Sequence, residues 1–377
     1  MERGGSPRPI DAYITDDSSG INWIKIGDTD ESMFITKTAQ RIRPEGMKKS
    51  RFVEPGDFLL SNSMSFGRPY ILKIEGCIHD GWLVLRDTGN HFDKRFLYYY
   101  LSAKPTYQKF KSMAVGGVVN NLNSEMVRKV MVPIPDKGEQ IAIANLLDKV
   151  AQIIGSRKIE LLKLDELIKA RFIEMFGDPV DNPQSWKVKK LQELVSDDCT
   201  ISYGIVQTGD DQEDGIPVFR PVDIVNHIPV RSELKRTTEE ISNKYKRTIL
   251  KGREMLITVR ANIADTCIVG EEFVGCNVGR GIVPIRTKED EMILEFLKHQ
   301  IDSKHLNDNI KALAKGITLI QLNMEDLREI SLIVPPIEQQ KAYVELAKQV
   351  DKSKAAVQAA LDKAQLLFDS LMQEYFG

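Results

Sequence analysis

The sequence predicts an α+β protein made by duplication: two globular domains, each followed by a long helix. Three observations carry this reading. Matching residues recur at an offset of 200 positions, each copy ends in a sustained 4-3 apolar spacing, and short strand-like runs separated by turn residues precede each helix.

The helical stretches run from Gln140 to Gly177 and from Gln340 to Gly377, each opening after a proline-bearing strand end (Ile134-Pro135, Val334-Pro335) and closing on Phe-Gly. In the first, the seam positions are Ile143, Leu147, Val150, Ile154, Leu161, Leu164, Ile168 and Met175, with Arg157 and Arg171 in the remaining two. In the second they are Tyr343, Ala347, Val350, Val357, Leu361, Ala364, Phe368, Leu371 and Tyr375, with Lys354 as the polar interruption. Spacing of this kind over several heptads predicts two helices that pack on each other.

The repeat extends outside the helices. Phe96-Leu97 matches Phe296-Leu297, Lys111 matches Lys311, Gly116 matches Gly316, Leu122-Asn123 matches Leu322-Asn323, and Arg128 matches Arg328. A period this long reads as domain duplication, not as a solenoid. The boundaries are 1–138 for the first globular domain, 139–178 for its helix, 179–338 for the second domain and 339–377 for its helix.

In the first domain, Ile21 to Ile26, Phe58 to Leu60, Tyr70 to Leu72 and Trp82 to Leu85 read as strands, with a turn at Pro55-Gly56-Asp57. Phe92 to Met113 reads as a helix, broken by Gly116-Gly117. Asn123 and Ser124 then cap a short turn before a strand at Val130 to Ile134. After the linker Asp178 to Pro183, Trp186 to Leu191 opens the second domain. That domain repeats the plan with strands at Val218 to Arg220, Met255 to Val259, Gly281 to Ile285 and Ile330 to Val334, a turn at Lys251-Gly252, and a helix at Glu289 to Leu313. Nothing before Arg3-Gly4-Gly5 corresponds to Trp186 through Ser202.

With 377 residues the chain can bury two substantial cores, and 42% hydrophobic with 28% charged residues is ordinary for a soluble protein. No apolar run reaches membrane-spanning length and the N-terminus is no signal peptide, so the expected location is the cytoplasm. The four cysteines contain no C-x-x-C and read as reduced, mostly buried residues, and the five histidines lack metal-ligand spacing.

Net charge is only −2, yet cations cluster. Arg231 to Arg260 carries nine basic residues against four acidic ones, and Lys37 to Arg68 carries seven against three. Paired basic patches on duplicated units are what a two-part duplex site requires. Catalytic signatures are missing: there is no G-x-G-x-x-G or P-loop Lys, no Asn-Pro-Pro-aromatic or Asp-Pro-Pro-aromatic motif, no Pro-Asp followed by acidic-x-Lys and no G-x-S-x-G. The expectation is a binder without catalysis of its own.

Ile134-Pro135 with Glu139-Gln140, Leu164 through Gly177, and Pro335-Pro336-Ile337-Glu338-Gln339-Gln340 to Gly377 together resemble the DNA-specificity subunit of type I restriction-modification enzymes. Arg3 to Pro9 and Asn62 to Pro69 are similar to target-recognition segments of that family, which adds Arg3 and Arg8 to the candidate DNA-binding residues. The resemblance spans nearly the whole chain; the absent opening of the first domain and the alanine-rich second helix depart from it. It implies two target-recognition domains reading half-sites, with the helices paired as an antiparallel coiled coil that sets the distance between them. It further implies double-stranded DNA, methyltransferase (modification) subunits and a motor-nuclease (restriction) subunit as partners, with S-adenosylmethionine, ATP and Mg carried by those partners and none by this chain. The competing reading is a scaffold that organises protein partners without DNA.

Phosphate contacts require cations, and the candidates are Arg41, Lys48, Lys49, Arg51, Arg231, Lys235, Arg236, Lys244, Lys246 and Arg247. Base reading requires directional donors and acceptors, expected at Asn62, Ser63, Arg68, Arg260, Asn262 and Arg280. Asn62-Ser63-Met64-Ser65 stands where the second copy has Val259-Arg260-Ala261-Asn262, so the half-sites are expected to differ.

Overall fold

The computed structural model describes residues 1–62, 67–113, 122–224, 230–316 and 320–377, together with the backbone of residue 114. The chain forms two compact units, Met1–Lys158 with Gln358–Gly377, and Ile159–Val357. Each unit therefore contains part of both long helices, Lys137–Phe176 and Ile337–Phe376.

The first unit holds two five-stranded sheets. One runs Glu2–Arg3, Trp82–Leu85, Phe58–Ser61, Pro69–Leu72, Phe34–Ile35, antiparallel except for its last pair. Both of its faces are covered, so its strands read as continuous apolar runs and not as alternating ones. Leu59, Leu72 and Val84 point to a core with Trp82, Tyr70 and Ile24, while Phe58, Leu60, Ile71 and Leu83 pack with Phe96, Tyr100 and Phe110. The expected helix at Phe92 to Met113 is two helices, Lys94–Ser102 and Lys104–Ala114. They break at Ala103, which is extended at ψ 142°. Pro105 lacks the amide needed to continue the first helix but is tolerated in the first turn of the next.

The second unit has two three-stranded sheets, Arg236–Thr237/Ile216–Phe219/Asn277–Val278 and Thr266–Val269/Glu254–Thr258/Ile282–Ile285, and the ribbon Lys187–Lys190/Ser331–Val334. The strands expected around Val218, Met255, Gly281 and Ile330 all form, within a residue or two. Its expected helix is again two, Leu294–Ile301 and Lys304–Ala312. At that break the Ser303 hydroxyl donates to the Gln300 carbonyl at 2.7 Å, supplying what the interrupted turn lacks.

One expected strand does not form. Among the described residues Val130 to Ile134 has no strand partner, whereas its counterpart Ser331–Val334 pairs with Lys187–Lys190. A strand exists only through its neighbour's hydrogen bonds, and among the described residues no segment lies beside Val130 to Ile134 as Lys187–Lys190 lies beside Ser331–Val334.

The helices pack antiparallel within each unit. In the second, Phe176 meets Tyr343 at 5.7 Å between ring centroids and Asp165 pairs with Lys354 at 2.5 Å; these two pairs share one total of residue numbers, as antiparallel register demands. In the first, Ile143, Leu147 and Phe376 share one core. The predicted seam positions are buried or half-buried, with Tyr375 as the exception: it is exposed and Phe376 is buried in its place. Near each helix end the buried face rotates from the partner helix toward the globular core. Phe376 packs on Phe96 at 5.4 Å in the first unit, and Phe176 on Phe296 at 4.9 Å in the second, so each helix ends in the core of the other copy. Gln140 and Gln340 anchor the helix starts by matching bonds. Each amide oxygen accepts from a backbone N–H (Asp93 at 2.7 Å, Ile293 at 3.0 Å), and each side-chain nitrogen donates to the carbonyl of Pro135 or Pro335.

Candidate nucleic-acid interface

In the first unit, several candidates converge on the turn at Asp80. The Arg3 guanidinium donates to the Asp80 carbonyl at 3.1 Å, the Asn62 amide donates to the same carbonyl at 3.0 Å, and Arg8 lies 3.9 Å from the Asp80 carboxylate. The Ser6 hydroxyl donates to that carboxylate at 2.8 Å and, with its neighbours, holds it below the usual range. Asp80 is thus an organiser of this corner that sequence reasoning missed, because the residues it gathers lie far apart in the chain. Adjacent His79 accepts the Ile26 amide at 3.2 Å, and burial holds its pKa below the ordinary histidine value. Asn62 itself is buried, and its side-chain oxygen finds no partner among the described residues. Ser63 lies outside the described residues. Arg68 is exposed on the neighbouring turn.

The remaining first-unit cations differ in availability. Arg41 donates to the carbonyls of Ser18 and Gly20, and Lys49 donates to the Tyr13 hydroxyl at 2.9 Å. These hydrogen-bond partners are neutral, although the Asp17 carboxylate lies close enough to Arg41 to feel its charge. Arg51 pairs with Glu2 at 2.8 Å, a carboxylate it shares with Arg86. Lys48 is exposed with no acidic partner among the described residues.

The second unit divides the same way. Arg231 donates to the Glu272 and Val274 carbonyls, Lys235 to the Gly209 carbonyl at 2.7 Å, and Arg236 to the Gly215 carbonyl at 3.3 Å. These cations are pinned to neutral acceptors on other loops of the same unit. Lys244 pairs with Glu240 at 2.9 Å across one helical turn. Lys246, Arg247 and Arg280 are exposed without an acidic partner among the described residues. Arg260 donates to the Gln321 side chain, and its Nε is buried without a partner among the described residues. Asn262 is exposed on the same loop, between Ala261 and Ala264 at positive φ. Arg260 and Arg280 are brought together, because Val259 donates to the Gly281 carbonyl at 2.8 Å and a Cβ on Gly281 would lie 3.3 Å from that of Arg260.

Of the second unit's polar clusters, Asp178, Asp181 and His305 have metal-ligand chemistry, but two of the three are exposed, and the His305–Asp178 contact at 2.8 Å accounts for the cluster without an ion. No helix among the described residues is long and apolar enough to cross a membrane.

Duplicated domains, each presenting loop donors beside unpaired cations and each joined to a long helix, define a nucleic-acid-recognition protein in which the site is a surface and not a cleft. The model of the type I restriction modification DNA specificity domain matches residues 6–164 and again 183–364, and the chain belongs to that family. Among curated relatives, the EcoBI specificity subunit of Escherichia coli is 23% identical, the match covering 95% of this chain and 79% of the relative. The MjaVIII specificity subunit of Methanocaldococcus jannaschii is 22% identical over 80% of this chain and 74% of its own length. The fold is shared with a chain from a structure describing complex assembly and conformational transition of the type I R-M system (TM-score 0.62, 16% identity, 100% of this chain and 95% of that one). It is shared too with the type I S subunit of M. genitalium (TM-score 0.55, 15% identity, 98% and 95%).

Proposed function

We propose that this chain is the non-catalytic subunit that reads double-stranded DNA for a cytoplasmic type I restriction-modification complex, each globular unit reading one half of a two-part, asymmetric site. The observation that carries this reading is the shared loop frame with unlike side chains: buried Asn62 stands in one copy where Val259, followed by Arg260, stands in the other. Exposed Lys48, Lys246 and Arg247 supply phosphate contacts, while Arg68, Arg260, Asn262 and Arg280 offer directional groups to base edges. Methyltransferase subunits and a motor-nuclease subunit are the partners, carrying S-adenosylmethionine, ATP and Mg. Co-purification with a methyltransferase subunit, followed by mapping of methylated bases, tests the reading. An interrupted, non-palindromic site is expected; a continuous or perfectly palindromic one contradicts it.

A further inference from the structure

The second unit holds a cleft of about 820 Å³ that no DNA-binding candidate lines. Its floor is apolar, formed by Ile168, Phe172 and Ile173 on the first long helix and Ile268 on the strand Thr266–Val269. An apolar hollow of this size with a few convergent polar groups suits a small organic ligand.

Three polar groups of the lining are open. The Tyr343 hydroxyl is fully buried and has no hydrogen-bond partner among the described residues, a state that costs stability unless something fills it. The His299 ring stands edge-on to that of Tyr343, 5.3 Å between centroids, and its imidazole bonds to none of the described residues. Burial, with Lys298 acting in the same sense, holds it neutral at neutral pH, so one ring nitrogen is an acceptor. The third group is Asp351. Every other carboxylate of the lining is engaged: Asp302 by Lys298 at 2.5 Å and the Thr266 hydroxyl at 2.6 Å, Asp165 by Lys354 at 2.5 Å, Asp178 by His305 at 2.8 Å and Glu295 by Arg253 at 3.0 Å. Asp351 has no cationic partner among the described residues. Carboxylates Asp302 and Asp351 act on both rings, whereas Lys169, the lining cation without an acidic partner among the described residues, is exposed.

We propose that this cleft binds a primary amine with an apolar or aromatic body: the ammonium donates to the Tyr343 oxygen, a His299 ring nitrogen and the Asp351 carboxylate, and the body lies on Ile168, Phe172 and Ile173. An ammonium carries three N–H donors and no acceptor, which matches three open acceptors on one wall. A carboxylate or phosphate in the same place would be repelled by Asp302 and Asp351. Because the lining comes from both long helices and from Leu294–Ile301, a bound amine ties these elements together and stabilises the second unit. None of these residues is a DNA-binding candidate, so the site is independent of that function.

The probe is phenethylamine, titrated into the full chain at neutral pH by calorimetry, with amide exchange read in Leu294–Ile301. Saturable binding that slows this exchange is expected. Phenethyl alcohol, the same body without the charge, should bind about tenfold more weakly or worse, the size of one charge-assisted hydrogen bond. Asp351→Asn, at an exposed residue without a partner among the described residues, should weaken amine binding to a similar degree. Tyr343→Phe should weaken it too while leaving the denaturation midpoint equal or higher, since it removes a buried hydroxyl that no described residue satisfies. Absence of saturable binding, equal binding of amine and alcohol, or wild-type affinity in either variant overturns the proposal.

Discussion

Asn62 and Val259 occupy the same point of the two copies. Each amide donates to a glycine carbonyl, Gly81 at 2.9 Å and Gly281 at 2.8 Å, and each carbonyl accepts from a leucine amide, Leu122 at 3.0 Å and Leu322 at 2.9 Å. The backbone frame is the same and the side chain is not. Asn62→Val should keep the frame while removing the bond to Asp80 and an unpartnered buried oxygen, so the stability change should stay within about 1 kcal/mol. Sequencing of DNA selected by the variant complex should show change confined to one half of the site. Change in both halves, or in neither, would contradict the assignment of this loop.

Lys246 and Arg247 are exposed cations without acidic partners among the described residues, so their charge is free for phosphate. Replacing both by Glu should weaken duplex binding across sequences. For each phosphate that the protein no longer touches, the plot of log affinity against log salt should flatten by about 0.9. A slope equal to wild type would remove these residues from the interface.

Glu254 is fully buried and accepts from the Arg286 guanidinium at 2.7 Å, the Lys251 amide at 2.7 Å and the Gly252 amide at 3.0 Å. Gly252 adopts φ +98°, so the carboxylate holds a turn that glycine alone enters easily. Glu254→Ala strands a guanidinium and two amides, with Asp198 at 3.3 Å as partial compensation. The loss should be about 3 kcal/mol, read from denaturant midpoints.

Phe376 is buried against Phe96 and Tyr100. Phe376→Ala should cost about 3–5 kcal/mol and loosen the first unit, leaving amide exchange in the second unchanged. Equal loosening of both units would show that the helix end acts through something other than its packing on these two rings.

Burial beside Tyr343 pushes His299 down to about 4, with Lys298 acting in the same direction and Asp302, Asp351 and Glu295 opposing. The unfolded chain binds the proton at about 6.5. Stability from the neutral ring is therefore complete above that value and is lost as pH falls toward 4. His299→Phe should flatten the pH dependence of the denaturation midpoint across this window. An unchanged curve would mean that other groups set it.

The sequence by itself determined the duplication, the two long helices and most of their buried seam, because these depend on local periodicity that any packed partner would enforce. It also set Asn62 against Val259, at an offset of 197 where the rest of the repeat keeps 200, so the equivalence rests on the order of the segments and not on one fixed register. The tertiary structure alone decided which cations stay free. Arg51 pairs with Glu2 and Lys244 with Glu240, while Arg231 and Lys235 fold onto carbonyls; such pairings join residues distant in the chain or depend on side-chain direction. It likewise decided that Val130 to Ile134 is no strand and that Phe376, not Tyr375, is buried. A strand requires a neighbour, and a helix face is buried by whatever lies against it; neither is a property of the segment's own residues.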